Sequence, residues 1–445
     1  MLAQFSGLCA VGVVSLQGLC FLMLALWMLS GRSPGERATA LLIRITYLLA
    51  FLLALTASVA LINSGQPRTV VSLGDWSVFS TYEFHFVFLL DSLSIPFLLL
   101  ATGLCGVVAV FSEKYLHREP GYQRYFLLLC LFGLGDCLTI LAGSIEVLFA
   151  SWEVLGLTSA LLIGFFHERP GPVRNGLHAF VVYRLSDLCL ALAAVTVYHL
   201  CKTGDFSTFI GVGPWPQAIC SLSPSSATTV GLLILVAALG KAAQVPFSGW
   251  LPRAMEGPTP STAIFYGALS IHAGAFLLLR CSTILDAAPM VAGSAVVFGL
   301  GTAMWARLVG RAQTDAKCSL AYASLGQVGL IFAEIGFGLR VFPVVHAVGH
   351  ALMRSLQFLR APSLLHELHE LHSATGSPIH PHGIPPQSYW RPSRYKTVLE
   401  HLYIENLVER LIVFPFLAFC RHLRRTDQAI LRIVSGSGQE SDHNL

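Results

Sequence analysis

The stretch LGKAAQVPFSGWLPRAMEGPTPSTA, residues 239–263, places a lysine and a run of prolines between two apolar segments. Residues 227–248 and 259–283 on either side each read as a helix long enough to cross a bilayer. Lys241 stands five residues before Pro246. A proline removes a backbone hydrogen bond and loosens the helix around it. In lipid, irregular backbone survives only where protein or a water-filled cavity surrounds it. Broken, charged helices near the mid-plane are typical of ion pathways. The stretch therefore predicts a helix break at 241–260, marked by Pro246, Pro258 and Pro260. A lysine held there between desolvation and a nearby carboxylate is able to release and regain a proton.

The rest of the chain fits that reading. Of its 445 residues, 54% are hydrophobic and only 12% are charged, about half the charge of a soluble domain. The mean hydropathy is +0.67. The net charge of +4 is too small to suggest nucleic acid as a partner. The eleven cysteines sit singly in apolar runs, as Cys20, Cys105, Cys130 and Cys137 do, with no C-x-x-C pair. They read as small lipid-phase residues rather than a metal site or disulfide frame. The first apolar run, 11–30, lacks a basic leader and reads as a retained helix.

Spans are expected near 8–30, 40–63, 86–112, 124–143, 145–166, 176–201, 227–248, 259–283, 289–310, 317–339 and 341–360. The fold class is an all-α, polytopic transmembrane bundle of about eleven helices. A stretch from Leu399 to Cys420 carries Glu405, Glu409 and Arg410, so it reads as an amphipathic surface helix, with a twelfth span as the alternative. Alternate loops hold Arg32 and Arg37, Lys114 and Arg118, Arg169 and Arg174, Arg253, then Arg307 and Arg311; the others hold only Arg68, Lys202 and Arg340. The positive-inside rule then puts the N-terminus outside and the basic loops in the cytoplasm, in a cell (inner) membrane. Four regions are expected: 1–85 with two helices and an outer loop, a core over 86–360, a polar His- and Pro-rich loop over 361–398, and an amphipathic basic segment over 399–445.

Charges inside the predicted helices mark candidate function, because each costs at least about 2.5 kcal/mol at the bilayer centre. Glu153 lies in the fifth helix, Arg184 and Asp187 in the sixth, Lys241 in the seventh, His272 in the eighth and Glu334 in the tenth. The eleventh carries His346, His350 and Arg354, which cover roughly 80° of one helix face. An imidazole accepts on one nitrogen and donates from the other, so such a stripe suits proton passage. Each group also has a structural reading. Glu153 or Asp187 would pair with Arg184, and a neutral His272 would bridge two helices. Asp136 in the fourth helix and Asp91 in DSLSIPF read as local caps or pairs.

The segments ASWEVLGLTSALLIGFF (150–166), AFVVYRLSD (179–187), the 239–263 stretch, DAKCSLAYASLGQVGLIFAEIG (315–336) and HAVGHALMRSLQFL (346–359) occur in this order. Together they resemble the antiporter-like subunits of respiratory complex I, above all the distal L-type subunit, and the large subunit of multi-subunit sodium/proton antiporters. The resemblance runs over residues 86–360. It implies a pump module of two inverted five-helix repeats, in which Glu153 pairs with Lys241, Asp187 matches a sixth-helix aspartate, and His346 and His350 match two eleventh-helix histidines. The family's lysine after those histidines is Arg354 here, a group that holds its charge rather than shuttling a proton. Tyr266 stands where the family has a histidine, and His272 lies six residues further on. The chain turns polar after Pro362 with no second lysine-bearing broken helix, so it reads as one complete and one incomplete repeat, C-terminally shortened.

The expected function is that of a proton-translocating membrane subunit of a complex I-like NADH–quinone oxidoreductase or related complex. The proton relay would comprise Glu153, Asp187, Lys241, His272, His346, His350 and Arg354. No flavin, nicotinamide or iron–sulfur motif is present, so no cofactor is expected in this chain and redox chemistry would fall to partners. Those partners are other membrane subunits and a soluble redox or carbon-processing protein. The alternatives are a subunit of a sodium/proton antiporter, a subunit of a two-component inorganic-carbon uptake system, and a non-conducting scaffold. His366, His369, His372, His380 and His382 read as a solvated or partner-facing segment rather than a metal site.

Overall fold

In the computed structural model, residues 1–31, 34–79, 82–313, 315–361 and 409–435 are described. The chain runs α1 (Leu2–Leu29), α2 (Glu36–Ser64), β1 (Arg68–Phe79), β2 (Tyr82–Asp91), α3 (Ser94–Tyr115), α4 (Tyr122–Leu141), α5 (Ile145–Ile163) and α6 (Pro170–Cys201). A short α7 (Phe206–Phe209) precedes α8 (Pro224–Lys241). The broken region holds α9 (Trp250–Arg253), a 3₁₀ turn (Ala254–Glu256), α10 (Thr259–Phe265) and α11 (Leu269–Arg280). Then come α12 (Ser282–Ala287), α13 (Pro289–Gly310), α14 (Ala316–Gly336), α15 (Val341–Arg360) and, after a turn of π-helix, α16 (Phe414–Ser435).

The protein is a multi-pass membrane helix bundle. Among the described residues, ten helical segments are long and apolar enough to span, with α10 and α11 counted as one. The expected eleventh, α15, is present with its predicted bounds. Its histidines and arginines make it too polar to count by composition. Local signals set many of the ends. Pro170, Pro224 and Pro289 occupy first turns, where a missing N–H costs nothing. Ser144, Ser223 and Asp315 cap α5, α8 and α14 by accepting backbone N–H bonds.

The hairpin is what the sequence reading lacked. Residues 68–85 are expected to be a loop and 86–93 the start of the third span; instead Arg68–Phe79 and Tyr82–Asp91 form two antiparallel strands, and α3 begins at Ser94. The alternating β-branched and aromatic residues of TVVSLGDWSVF and YEFHFVF are the strand signal. The hairpin packs on α1, where the absent side chain of Gly7 admits Val71. Its base joins the α4–α5 turn through Gly143 N–H donating to the Val87 carbonyl at 2.8 Å.

Asp91, at the end of β2, accepts from the Leu93 and Ser94 amides at 3.1 and 2.9 Å and from Arg280 Nη1 at 2.5 Å. Arg280, at the end of α11, is 2% exposed. The pair thus clasps the hairpin, α3 and α11 together; the cap is local, as expected of Asp91, whereas its ion-pair partner comes from a distant helix. Residues 362–408, which include His366, His369, His372, His380 and His382, lie outside the described residues, and with them residues 399–408 of the amphipathic stretch. The 414–435 helix bears exposed Arg421, Arg424 and Arg425 beside exposed Phe414, Phe419 and Leu423, an amphipathic pattern. Removing one partner of a buried pair leaves an uncompensated charge. Arg280→Met is therefore expected to lower stability by about 3–5 kcal/mol, whereas Arg280→Met with Asp91→Leu costs much less; thermal denaturation in detergent compares them.

Candidate functional site

The site grows from three central helix turns and one helix end. On α5, Trp152 and Glu153 are consecutive and so point to different faces. On α6, Arg184 and Asp187 are three residues apart and share a face. Glu153 forms an ion pair with Arg184. Arg184 Nη2 donates to Asp187 Oδ2 at 3.0 Å. The other oxygen of Asp187 accepts from Trp152 Nε1 at 2.6 Å. Asp187 is buried, whereas Glu153 and Arg184 retain 24% and 26% of their side-chain surface.

Lys241 is the last residue of α8 and is fully buried. Its amine donates to the Trp152 carbonyl at 2.9 Å and lies over the rings of Trp152 and Tyr183 at 4.9 and 4.8 Å. A cation at a helix C-terminus meets the negative end of the helix dipole, and ring faces add cation–π attraction. Gly156 makes the position available, because a Cβ there would lie 2.8 Å from the amine. Beyond Lys241 the backbone leaves the helix, as Pro246 predicts. Its freed groups find partners: Gln244 N–H donates to the Leu239 carbonyl at 2.8 Å, Val245 N–H to Thr302 at 3.1 Å, and Trp250 Nε1 to the Gly240 carbonyl at 3.1 Å. Pro258 and Pro260 bracket the start of α10, where Thr259 bonds both Tyr115 and Lys317.

The resemblance implied that Glu153 pairs with Lys241. Here Glu153 pairs with Arg184 instead, and Arg184, Asp187 and Trp152 stand between the carboxylate and the amine. The four charges form one cluster with two acids and two bases.

A second cluster lies where α11 meets α15. His272 Nδ1 bonds the Ala268 carbonyl. His272 Nε2 faces His350 Nδ1 at 3.0 Å, and Arg354 Nε donates to His350 Nε2 at 3.4 Å. These partners fix the tautomers. A carbonyl only accepts, so His272 Nδ1 carries a proton and its Nε2 is a lone pair. His350 then donates from Nδ1 and accepts from Arg354 at Nε2. Both imidazoles are neutral and aligned in one direction. His346, one turn earlier on α15, turns away to α14, where its ring nitrogens meet Glu334 at 2.8 Å and Gln327 at 3.1 Å. The predicted His–His–Arg stripe is therefore divided between two neighbours.

Among the described residues no hydrogen bond joins the Lys241 cluster to His272. Packed aromatic rings and two hydroxyls intervene: Tyr183 meets Trp250 and Trp250 meets Tyr266 at ring separations of 5.0 and 5.4 Å, and Ser159 faces Ser270 at 3.5 Å. The Tyr266 hydroxyl, at the family's histidine position, is buried without a hydrogen-bond partner among the described residues. Trp152, Tyr183, Gln327 and Ser270 were not singled out from sequence, since none carries charge. Asp136 departs from its reading as a local cap or pair: its buried Oδ2 has no partner among the described residues.

The comparisons with known proteins agree with this architecture. Residues 142–376 match the family described as "NADH:quinone oxidoreductase/Mrp antiporter, TM", and residues 76–126 match "NADH-Ubiquinone oxidoreductase (complex I), chain 5 N-terminus". The chain is 32% identical over 305 residues to NADH-ubiquinone oxidoreductase chain 5 of Cryptococcus neoformans var. grubii, covering 68% of this chain and 45% of that protein. It is 34% identical over 291 residues to the probable inorganic carbon transporter subunit DabB1 of Halothiobacillus neapolitanus, covering 65% and 52%. With NADH-quinone oxidoreductase subunit L of Mycobacterium tuberculosis the identity is 32% over 284 residues, covering 63% and 44%. The chain thus spans about half the length of these relatives. A chain of the Mrp complex from Dietzia sp. superposes with a TM-score of 0.67 at 26% identity, over 88% of this chain and 39% of that one. With more than half its residues matched to one family and the fold shared with a solved member, this chain belongs to the NADH:quinone oxidoreductase/Mrp antiporter transmembrane family.

Proposed function

We propose that this chain relays protons as a membrane subunit of a complex I-like NADH–quinone oxidoreductase or a related ion-translocating complex. The observation that carries the reading is Lys241, an amine buried at the end of a broken helix. It is held by a backbone carbonyl and two ring faces, with Asp187 and Arg184 acting on it electrostatically. An amine so placed trades its proton as neighbouring charges shift, because its field comes from fixed groups rather than mobile water. In this reading Glu153 and Asp187 exchange protons with Lys241, and His272, His350 and His346 continue the path. Arg354 holds a fixed charge that biases the histidines. The core of the relay lies within 86–360, with 1–85, 361–398 and 399–445 as flanking regions.

Other membrane subunits are the expected partners, and a soluble redox or carbon-processing protein would supply the driving chemistry. The Glu153–Arg184 pair supports the first. It sits midway along α5 and α6 yet keeps a quarter of its surface open, and a charged pair facing lipid is costly. A neighbouring subunit covering that face removes the cost. The alternation of basic loops supports an N-terminus outside and the loops bearing Lys114, Arg169 and Arg253 in the cytoplasm of an inner membrane. Likeness to DabB1 favours a second reading, the membrane half of an inorganic-carbon uptake pair.

Proton flux into liposomes holding the chain with its co-purifying subunits tests the relay. Lys241→Ala is expected to slow flux about 100-fold, the lower range for one positioned proton-transfer group; unchanged flux leaves the scaffold reading. Gly156→Ala is expected to reduce flux as well, by crowding the amine off the Trp152 carbonyl, while the protein still purifies folded. Full flux in that variant would mean that the amine's position is unimportant.

A further inference from the structure

The two neutral histidines end on a carbonyl. The Ala268 oxygen accepts a hydrogen bond from His272, but an amide oxygen is too weak a base to keep a proton. When His272 takes a second proton on Nε2, the one on Nδ1 thus needs another acceptor.

Asp136 supplies one. It lies on α4, which packs against α11. It is 4% exposed, and its Oδ2 has no hydrogen-bond partner among the described residues. Buried carboxyl oxygens without partners are rare and demand a reason. Asp136 lines one small cavity together with His272 and Ala268, closed by Phe97, Thr139 and Phe276. About 10 Å³ of it is open to the centre of a water molecule, room for about one water. The ionisable groups that feel the charge of Asp136 are thiols, Cys105 of α3 and the adjacent Cys137. From α1, Gln17 bonds Cys137, and from α2, Tyr47 bonds the Leu129 carbonyl. None of these is a cation that would hold Asp136 as a purely structural ion pair.

We propose that Asp136 is a proton-accepting site for His272, reached through one water in the shared cavity. The step balances. The Nδ1–H bond of the His272 imidazolium breaks, the water takes that proton and gives up another, and an O–H bond forms on the Asp136 carboxylate. His272 is left neutral with its proton on Nε2. The site adds a branch towards α3 and α4 that none of the seven relay residues expected from the sequence provides. It rests on the relay reading, of which it is an extension.

Infrared difference spectra of the full chain in lipid, recorded across an acid pulse, test the site without relying on transport. A protonated-carboxyl band is expected that is absent in Asp136→Asn and altered in His272→Ala. Identical carboxyl bands in wild type and Asp136→Asn would overturn the proposal. So would a band indifferent to His272→Ala, a comparison that needs no change at position 136. In liposomes Asp136→Asn is expected to slow flux about tenfold, with Asp136→Glu restoring it; unaltered flux in Asp136→Asn would remove the site from the path. Glu153→Gln run in parallel separates the two ideas. Normal flux in that variant would sink the relay reading and leave the infrared result standing.

Discussion

Lys241 stays buried because α8 stops at it. Had the helix run on, the amine would project sideways from an unbroken cylinder, away from the dipole end that favours its charge. The stop brings a carbonyl of α5, two aromatic faces and an acid–base pair of α6 around one atom. It also obliges residues 242–258 to find partners for their own backbone, and they do so on α13 and within the break itself. The tight fit of α8 on α6, where Gly240 leaves no room beside Ser186, follows from the same need. Position, charge and packing at this turn are therefore one problem with one solution.

Membrane spans were legible because bilayer thickness fixes their length and lipid fixes their composition. The break at Pro246 was legible because proline acts on its own backbone whatever surrounds it. The hairpin was not, because its second strand, ending Phe86-Val87-Phe88-Leu89-Leu90, merges with the apolar run of α3. Hydropathy cannot divide a buried strand from a helix by content alone. Only the alternation around Ser72 and His85 carries the signal.

Within the site, sequence exposed the charges but not their pairing. Spacing along α15 put His346, His350 and Arg354 on one face, yet a face some 80° wide touches two neighbours, and the histidines part company there. Glu153 likewise chose Arg184, which lies nearer than Lys241 once α6 is packed beside α5. Asp136 read as a local cap or pair because a single carboxylate in an apolar run carries no mark of whether a partner awaits it. Partner choice is a property of packing, and it enters only when helices are set side by side.

The two histidines between Arg354 and Ala268 donate in the same sense, each ring offering its Nδ1 proton to the next acceptor. A proton that hops along such a file leaves every ring with its hydrogen on the opposite nitrogen. The file then points backwards, and nothing further can pass until the rings turn over. With His272 held between the Ala268 carbonyl and His350, that turning needs both hydrogen bonds to break. In the relay proposed above, the histidine file would have to be rewound after each charge.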